Sequence, residues 1–508
     1  MGQGWYRGRI IARAACRALG LLALVSPAFS AHAEPTERIR VSTVKGFYTT
    51  ALQELADRYV ASHPNLEIDI NLQPDNLSLM RYYTAQMAAD RRDAPDIVHG
   101  NILGVAENYH AGRFLACNDY LKEPNPYAGG MRWQDLFDQV FLNSLAVDGI
   151  RYCILPMDYV SVGVYYNKDL FRKAGVEPVK NWRGWFAISQ TFIDHDVIPI
   201  AMAGSAQTPM RGWLEAQIDD ACLRRYTPLF LAQPGDWNYA PANAAYVHDA
   251  NDLLADQLVT LNPERMLKAY KEGKVRFDSP ACIEGAALLQ QLTPYLELGH
   301  LGTDQAGAYA LFLSGRAAMW LTGSWRVGTL TRDMADLPPD KRFDWGVFPV
   351  PDIEHSEHGI APLRSVGGAG HQLSVVDKHD EAQHRRVIDF LKFIYAPKQA
   401  AYLTRRTLEV GEFIQGAPMM EGVTLPPDIA EKLDGFGQRG YLKMDIRPDP
   451  NDMDTNLRLR AYGQLLAMSA ITPEEYTRER QRLAMRLVDK LIARRGFDLD
   501  PTTEDTPP

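Results

Sequence analysis

The apolar positions near the start of the chain change period repeatedly. Ile39 to Thr43 is a short β-rich run. Leu52, Leu55, Ala56, Tyr59 and Val60 then share one helical face, which Pro64 terminates. Leu66, Ile68, Ile70 and Leu72 alternate and predict a second strand, followed by a helix from about Leu79 to Ala89. Asp96 to Val98, after Ala94-Pro95, is a third strand. This strand–helix alternation predicts an α/β fold with a parallel, doubly wound sheet. The middle of the chain repeats it. Val162–Tyr166 reads as a strand, Asn167 as an N-cap, and Lys168–Ala174 as a helix closed by Gly175. Val197–Met202, Trp345–Val350 and His371–Val376 are further strands. Thr472-Pro473-Glu474-Glu475 is a capping box that opens a last helix, lined by Leu483, Leu487 and Leu491 and ended by Gly496.

The segment Phe312–Trp325, FLSGRAAMWLTGSW, carries the most chemistry. It reads as a helix end, a turn at Ser314-Gly315, an apolar strand Ala317–Leu321 and a new helix start at Thr322-Gly323-Ser324-Trp325. Unpaired backbone N–H groups and an indole thus meet just past a strand end. Ligands of open α/β sheets sit at such strand-to-helix loops.

A length of 508 residues predicts more than one domain, and 46% hydrophobic with 23% charged residues is a globular composition. The N-terminus reads as an export signal. Arg7, Arg9, Arg13 and Arg17 are its basic region, Leu19–Val25 its apolar heart, and Ala31-His32-Ala33 its cleavage site. No later segment is long and apolar enough to span a membrane. Loss of residues 1–33 moves the net charge from −9 to −13. That acidity argues against nucleic-acid and anionic-membrane partners. The G-x-S-x-G, H-E-x-x-H and P-loop signatures are absent, so neither an enzyme nor a cofactor or metal is expected. His355 and His358 lie in a Pro- and Gly-flanked acidic loop and read as solvated.

Several blocks resemble one known family. Asp148 to Pro156 is similar to D-G-K-x-Y-x-L-P, and Tyr165 to Val176 resembles Y-Y-N-K-D-L-F-x-K-A-G-V. Ala94-Pro95-Asp96-Ile97, Gly315 to Trp325, Phe343 to Pro349, Val366-Gly367-Gly368 and Ile471 to Tyr476 also match, in order, over nearly the whole mature chain. The family is the extracellular solute-binding proteins, family 1, the sugar-type substrate-binding proteins of ABC importers. The resemblance implies a two-lobed periplasmic-binding-protein fold, with two discontinuous doubly wound lobes joined by a multi-strand hinge. It divides the chain into a signal peptide (1–33), a first lobe (34–157 plus 348–408), a second lobe (158–347 plus 409–496) and a flexible tail (497–508). Hinge crossings are expected near Pro156–Tyr159, Val347–Pro351 and Arg405–Gln415. The implied function is periplasmic capture of a carbohydrate and its delivery to a membrane permease, by a monomer with no cofactor. Alternatives are an anionic or other polar solute, delivery to a sensor, and a secreted glycoside hydrolase.

A sugar presents apolar C–H faces and a rim of hydroxyls, so its binder needs flat aromatics and fixed polar groups. Trp325 with Gly323 and Ser324 is the leading candidate, joined by Trp213. Trp320, Trp182 and Trp185 read as packing. Lys45, Phe47 and Tyr48 follow the first strand; His99 and Asn101 follow the third. Asp158 and Tyr159 fall at the hinge. Arg211 and Arg364 are cationic candidates for a carboxylate or phosphate, and Gly367 and Gly368 allow close backbone approach. The loops around Lys45 and His99 lack the tryptophans more usual in the family, and the chain is longer than most members within 220–280 and 400–445. Four mature cysteines, Cys117, Cys153, Cys222 and Cys282, permit two disulfides. Sequence order within lobes favours Cys117–Cys153 and Cys222–Cys282; buried free thiols are the alternative.

Overall fold

A computed structural model describes residues 37–503 except 101–107, 109–110, 147–149, 206–209, 438–446 and 449–451. The proposed signal segment and Asn101 lie outside the described residues.

The first lobe is built on a five-stranded sheet of order β2-β1-β3-β11-β4. Its strands are β1 (Glu37–Val44), β2 (Leu66–Gln73), β3 (Ile97–His99), β4 (Ile154–Pro156) and β11 (Gln372–Val375). β1 runs parallel to both β2 and β3, as a right-handed strand–helix–strand path requires. β11 returns antiparallel between β3 and β4. Ile39, Val41, Ile97, Leu373 and Val375 pack against Leu52, Leu55 and Tyr59 of the helix Thr49–Ala61, the face that the sequence period marks out. The opposite face buries Val44, Val98 and Ile154 under Leu79 and Tyr83 of the helix Asn76–Ala89. Cys117 and Cys153 are disulfide-bonded here, with Cα atoms 4.8 Å apart.

The second lobe carries a four-stranded sheet of order β7-β8-β6-β9. Its members are β6 (Val162–Asn167), β7 (Ile198–Ala201), β8 (Ala317–Gly323) and β9 (Trp345–Pro349). β8 is buried along its whole length and continues two residues past Leu321, to Gly323. Trp320 packs between Tyr165, Tyr309 and Phe312, with ring centroids 5.1–5.8 Å away. Trp182 and Trp185 are also buried. Asn167 caps its helix through Asp169 N and Leu170 N, and Gly175 closes it at φ 67°. The last helix, Pro473–Arg495, has the expected capping box and ends at Gly496, φ 67°.

Three strands make the hinge: β5 (Asp158–Val160) lies between β10 (Gly368–Ala369) and β12 (Ala417–Pro418), antiparallel to both. The segment expected as the second crossing packs differently from the other two. Val347–Pro351 runs along β9 and into the second lobe's core, where Val350, Ile353, Ile360 and Leu363 are buried. We propose, from this packing, that the chain crosses only after Arg364 and that residues 348–366 go with the second lobe. The described start of the tail, residues 497–503, packs on this lobe. Phe497 is buried, Leu499 packs beside the same core, and Pro501 accepts a hydrogen bond from Trp237 N at 3.0 Å. An apolar residue just past the helix cap anchors a segment that its acidic composition had suggested was loose.

Candidate functional site

The strand ends of both lobes meet at the hinge. Asp158 is fully buried and holds it together. Its carboxylate accepts from Tyr48 Oη (2.7 Å), His371 N (2.7 Å) and Gln415 N (2.6 Å). These donors come from the first lobe and from the segments beside the other two hinge strands. Burial pushes the Asp158 carboxyl up to about 6, against the pull of its donors. Gly370 and Gly416 make this packing possible. A Cβ on Gly370 would lie 2.1 Å from Asp158 Oδ1, and one on Gly416 would lie 1.6 Å from the Tyr159 carbonyl oxygen. The close-approach glycines are therefore these two. Gly368 pairs with Val160 with open space where its Cβ would be, and Gly367 N reaches Ser365 Oγ only at 3.5 Å.

Polar groups continue from this hub into the second lobe. Ser324 Oγ donates to the Gln415 carbonyl at 2.6 Å and accepts from Ser161 N at 3.0 Å. Ser161 Oγ bonds Ser365 Oγ, and Tyr159 Oη lies 3.3 Å from Ser161 Oγ. Tyr165 Oη fixes the Gly323 carbonyl at 2.9 Å. Gly323 is needed for the next residue but one: a Cβ there would lie 1.9 Å from Trp325 Cζ3. The indole thus folds flat over the strand end, partly buried against the second lobe's core. Ser324–Arg326 is one 3-10 turn leading into the helix Val327–Asp336.

On the first lobe, Lys45 is exposed, and its N–H bonds the Gln73 carbonyl at 2.9 Å. Phe47 is half-buried between His371 and Phe413, with centroids 6.4 and 6.2 Å away. Phe413 also lies under the Arg332 guanidinium of the second lobe, 4.9 Å from its ring centroid. Tyr48 adopts φ 58° at the helix start and turns its side chain into the hinge, fully buried, instead of into the cleft. His99 is likewise buried. It stacks on His371 at 4.3 Å and donates from Nδ1 to the Gln372 carbonyl at 3.0 Å. Desolvation lowers the His99 pKa to about 4 and holds His371 well below the usual histidine range, so the pair is neutral near pH 7.

The predicted residues therefore divide. Lys45, Phe47, Tyr159, Trp213 (38% exposed, in the first turn of the helix Arg211–Leu223) and Trp325 keep open surface. Tyr48, His99, Asp158 and Ser324 are buried in the hinge itself. Arg211 begins its helix, but its side chain is outside the described atoms. Arg364 is no open anion clamp. It is fully buried, with Nε donating to Asp220 at 2.9 Å and its other nitrogens bonded to Asp220 and Asp256. The fork does grip carboxylates, but those of its own chain. Cys222 and Cys282 are free and buried, not disulfide-bonded. Sequence reasoning missed Ser161, Ser365, His371 and Gln415. Small polar residues at strand edges carry no periodic signal, and only their meeting across the hinge reveals them.

Comparison with known proteins agrees with this architecture. The family model for bacterial extracellular solute-binding proteins matches residues 48–401, and the chain belongs to that family. It is a solute-binding component of the ABC-importer type, a binding protein and not an enzyme. The sn-glycerol-3-phosphate-binding periplasmic protein UgpB of Yersinia enterocolitica serotype O:8 / biotype 1B is 23% identical over 404 residues, covering 77% of this chain and 78% of that protein. Among solved structures, a chitin oligosaccharide binding protein superposes with TM-score 0.61 at 19% identity, over 89% of this chain and 99% of that one. RafE in complex with raffinose gives 0.56 at 15% identity over the same shares. The cyclic alpha-maltosyl-1,6-maltose binding protein of Arthrobacter globiformis gives 0.58 at 17%, again over 89% and 99%. These likenesses establish the two-lobed fold. Among the described residues no helix is long and apolar enough to cross a membrane.

Proposed function

We propose that this protein is exported to the periplasm, with cleavage near Ala33, and captures a carbohydrate between its lobes as a monomer for delivery to a membrane permease. The observation that supports this reading is Trp325, laid flat over Gly323 at the end of a buried strand and partly exposed, next in sequence to Ser324, whose hydroxyl ties it to the hinge. A flat, partly exposed aromatic face complements the C–H face of a pyranose. Phe47 and Trp213 add aromatic surface, and Lys45 adds a cation on the facing side. The commitment of Arg364 to Asp220 and Asp256 favours a neutral sugar over a phosphorylated one. Solute that touches both lobes only when they close would shift the population towards closure.

Mass spectrometry of the small molecule released on denaturing the purified protein tests the class directly. Recovery of an oligosaccharide supports the reading, and a glycerol phosphate would replace it. Calorimetry against a panel of oligosaccharides, with Trp325→Ala beside the parent, then tests the wall itself.

A further inference from the structure

The chain between the helices Thr227–Phe230 and Pro263–Lys271 of the second lobe returns on itself. Asn243 donates Nδ2 to the carbonyls of Ala232 and Thr260, 2.8 Å each, and accepts from Thr260 N at 2.9 Å. Residues 246–259 are thereby gathered into a loop with its ends clamped, the pattern of an Ω-loop. Part of this loop is surface, with Val247 79%, Leu254 57% and Leu258 50% exposed. Its Asp256-Gln257 step is not surface: both residues are 2% exposed.

Two attachments hold that step. On the second-lobe side, Asp256 is bonded by Arg364, whose guanidinium also binds Asp220 on the helix Arg211–Leu223. Gln217 of that helix donates Nε2 to the Arg364 carbonyl at 2.8 Å. Gln257 Nε2 in turn donates to Asp256 Oδ1 at 3.0 Å. Arg364 stands four positions before hinge strand β10, so the anchor lies beside a crossing. On the other side, Asn143 of the first-lobe helix Gln139–Ser144 donates Nδ2 to the Gln257 carbonyl at 3.1 Å. A loop fixed rigidly in one lobe thus bonds the other lobe outside the three hinge strands.

We propose that residues 246–259 form a strap that ties the lobes together and biases the solute-free protein towards the arrangement seen here. The buried Arg364–Asp256 pair makes the loop move with the second lobe. Swinging the lobes apart therefore breaks the Asn143–Gln257 bond instead of carrying the loop along. A contact made in one arrangement only shifts the population towards it, whatever solute is bound. The strap does not depend on the carbohydrate reading.

The test uses the solute-free mature chain with Asn143→Ala, which removes the donor, and Asn143→Asp, which also sets a carboxylate against the Gln257 carbonyl. Hydrogen–deuterium exchange is followed at residues 139–146 and 252–259, with the radius of gyration from X-ray scattering. Loss of one neutral bond should raise the ratio of opened molecules to the arrangement seen here about fivefold, and the introduced negative charge should raise it further. Exchange should therefore quicken in both segments, the radius should increase, and the thermal midpoint should stay nearly constant. Faster exchange in 139–146 alone would reveal a purely local role and overturn the strap. So would two variants indistinguishable from the parent.

Discussion

Asp158 and Trp325 are joined by a short bonded path, yet they do opposite work. Asp158 accepts from Gln415 N, the Gln415 carbonyl accepts from Ser324 Oγ, and Trp325 follows Ser324. At the Asp158 end every polar atom faces another part of the protein. At the Trp325 end a ring lies across a strand terminus with surface to spare. A binding protein that closes needs both: a buried polar hub that fixes how the hinge segments meet, and an open wall whose partner arrives from solution. The difference also shows that charge is a poor guide to the open half. Arg364 and Asp158 are among the strongest charges near the hinge, and both are spent on internal geometry. The contrast predicts that the hub governs stability and the wall governs affinity.

The sharpest way to break that division is Arg364→Ala. It removes the Arg364 guanidinium from the buried Asp256 and Asp220, with Arg224 Nη2 remaining 3.7 Å from Asp220, a change that typically costs about 3–5 kcal/mol. Urea unfolding should show the loss, and a protein of unaltered midpoint would mean that this network contributes no stability. The next effect is one of pH. The His99 pKa in the folded protein is about 4, below the ordinary 6.5. The unfolded chain binds that proton more tightly, so stability falls as pH drops from about 6.5 to about 4. Asp158, raised from 3.8 to about 6, acts the other way, and its contribution grows as pH falls through much of the same range. His99→Asn keeps an amide nitrogen near Nδ1 but removes the first slope. Relative to the parent it should gain ~3 kcal/mol between pH 7 and pH 4, read from urea midpoints. A pH profile parallel to the parent's would refute the desolvated histidine pair.

Smaller effects belong to the wall. Trp325→Ala should weaken carbohydrate binding by ~2 kcal/mol, about thirtyfold, while leaving the unfolding midpoint near that of the parent. Equal losses in affinity and stability would move Trp325 from the wall into the hub. The smallest change is expected from Lys45→Ala. Its exposed ammonium should alter binding of a neutral sugar by less than ~0.5 kcal/mol, whereas a strong, salt-sensitive loss would point to an anionic solute.

Much of the fold was legible before any coordinate. The alternation at Leu66, Ile68, Ile70 and Leu72, the caps at Asn167 and Thr472, and the glycines at 175 and 496 all act within a few residues, and the structure places them as expected. The rest was not legible where distant segments decide. Val347–Pro351 resembles a crossing in sequence, but the apolar residues after it bind the chain to the second lobe's core. The residues just past Gly496 look loose in sequence, but Phe497 is buried in the second lobe's core. Of the two cysteine pairs placed by sequence order, Cys117 and Cys153 are bonded while Cys222 and Cys282 remain thiols.

The sequence by itself determined the two-lobed α/β class, the strand-to-helix junction that carries Trp325, and the family to which the chain belongs. These rest on local periods, caps and motif wording, which need no partner from elsewhere in the chain. Only the tertiary structure decided which polar residues look outward. Tyr48, Asp158, His371 and Gln415 lie in segments far apart in sequence, and Arg364 meets Asp220 and Asp256 across comparable gaps. A buried charge must find a partner, and a partner that distant is chosen by packing and not by sequence.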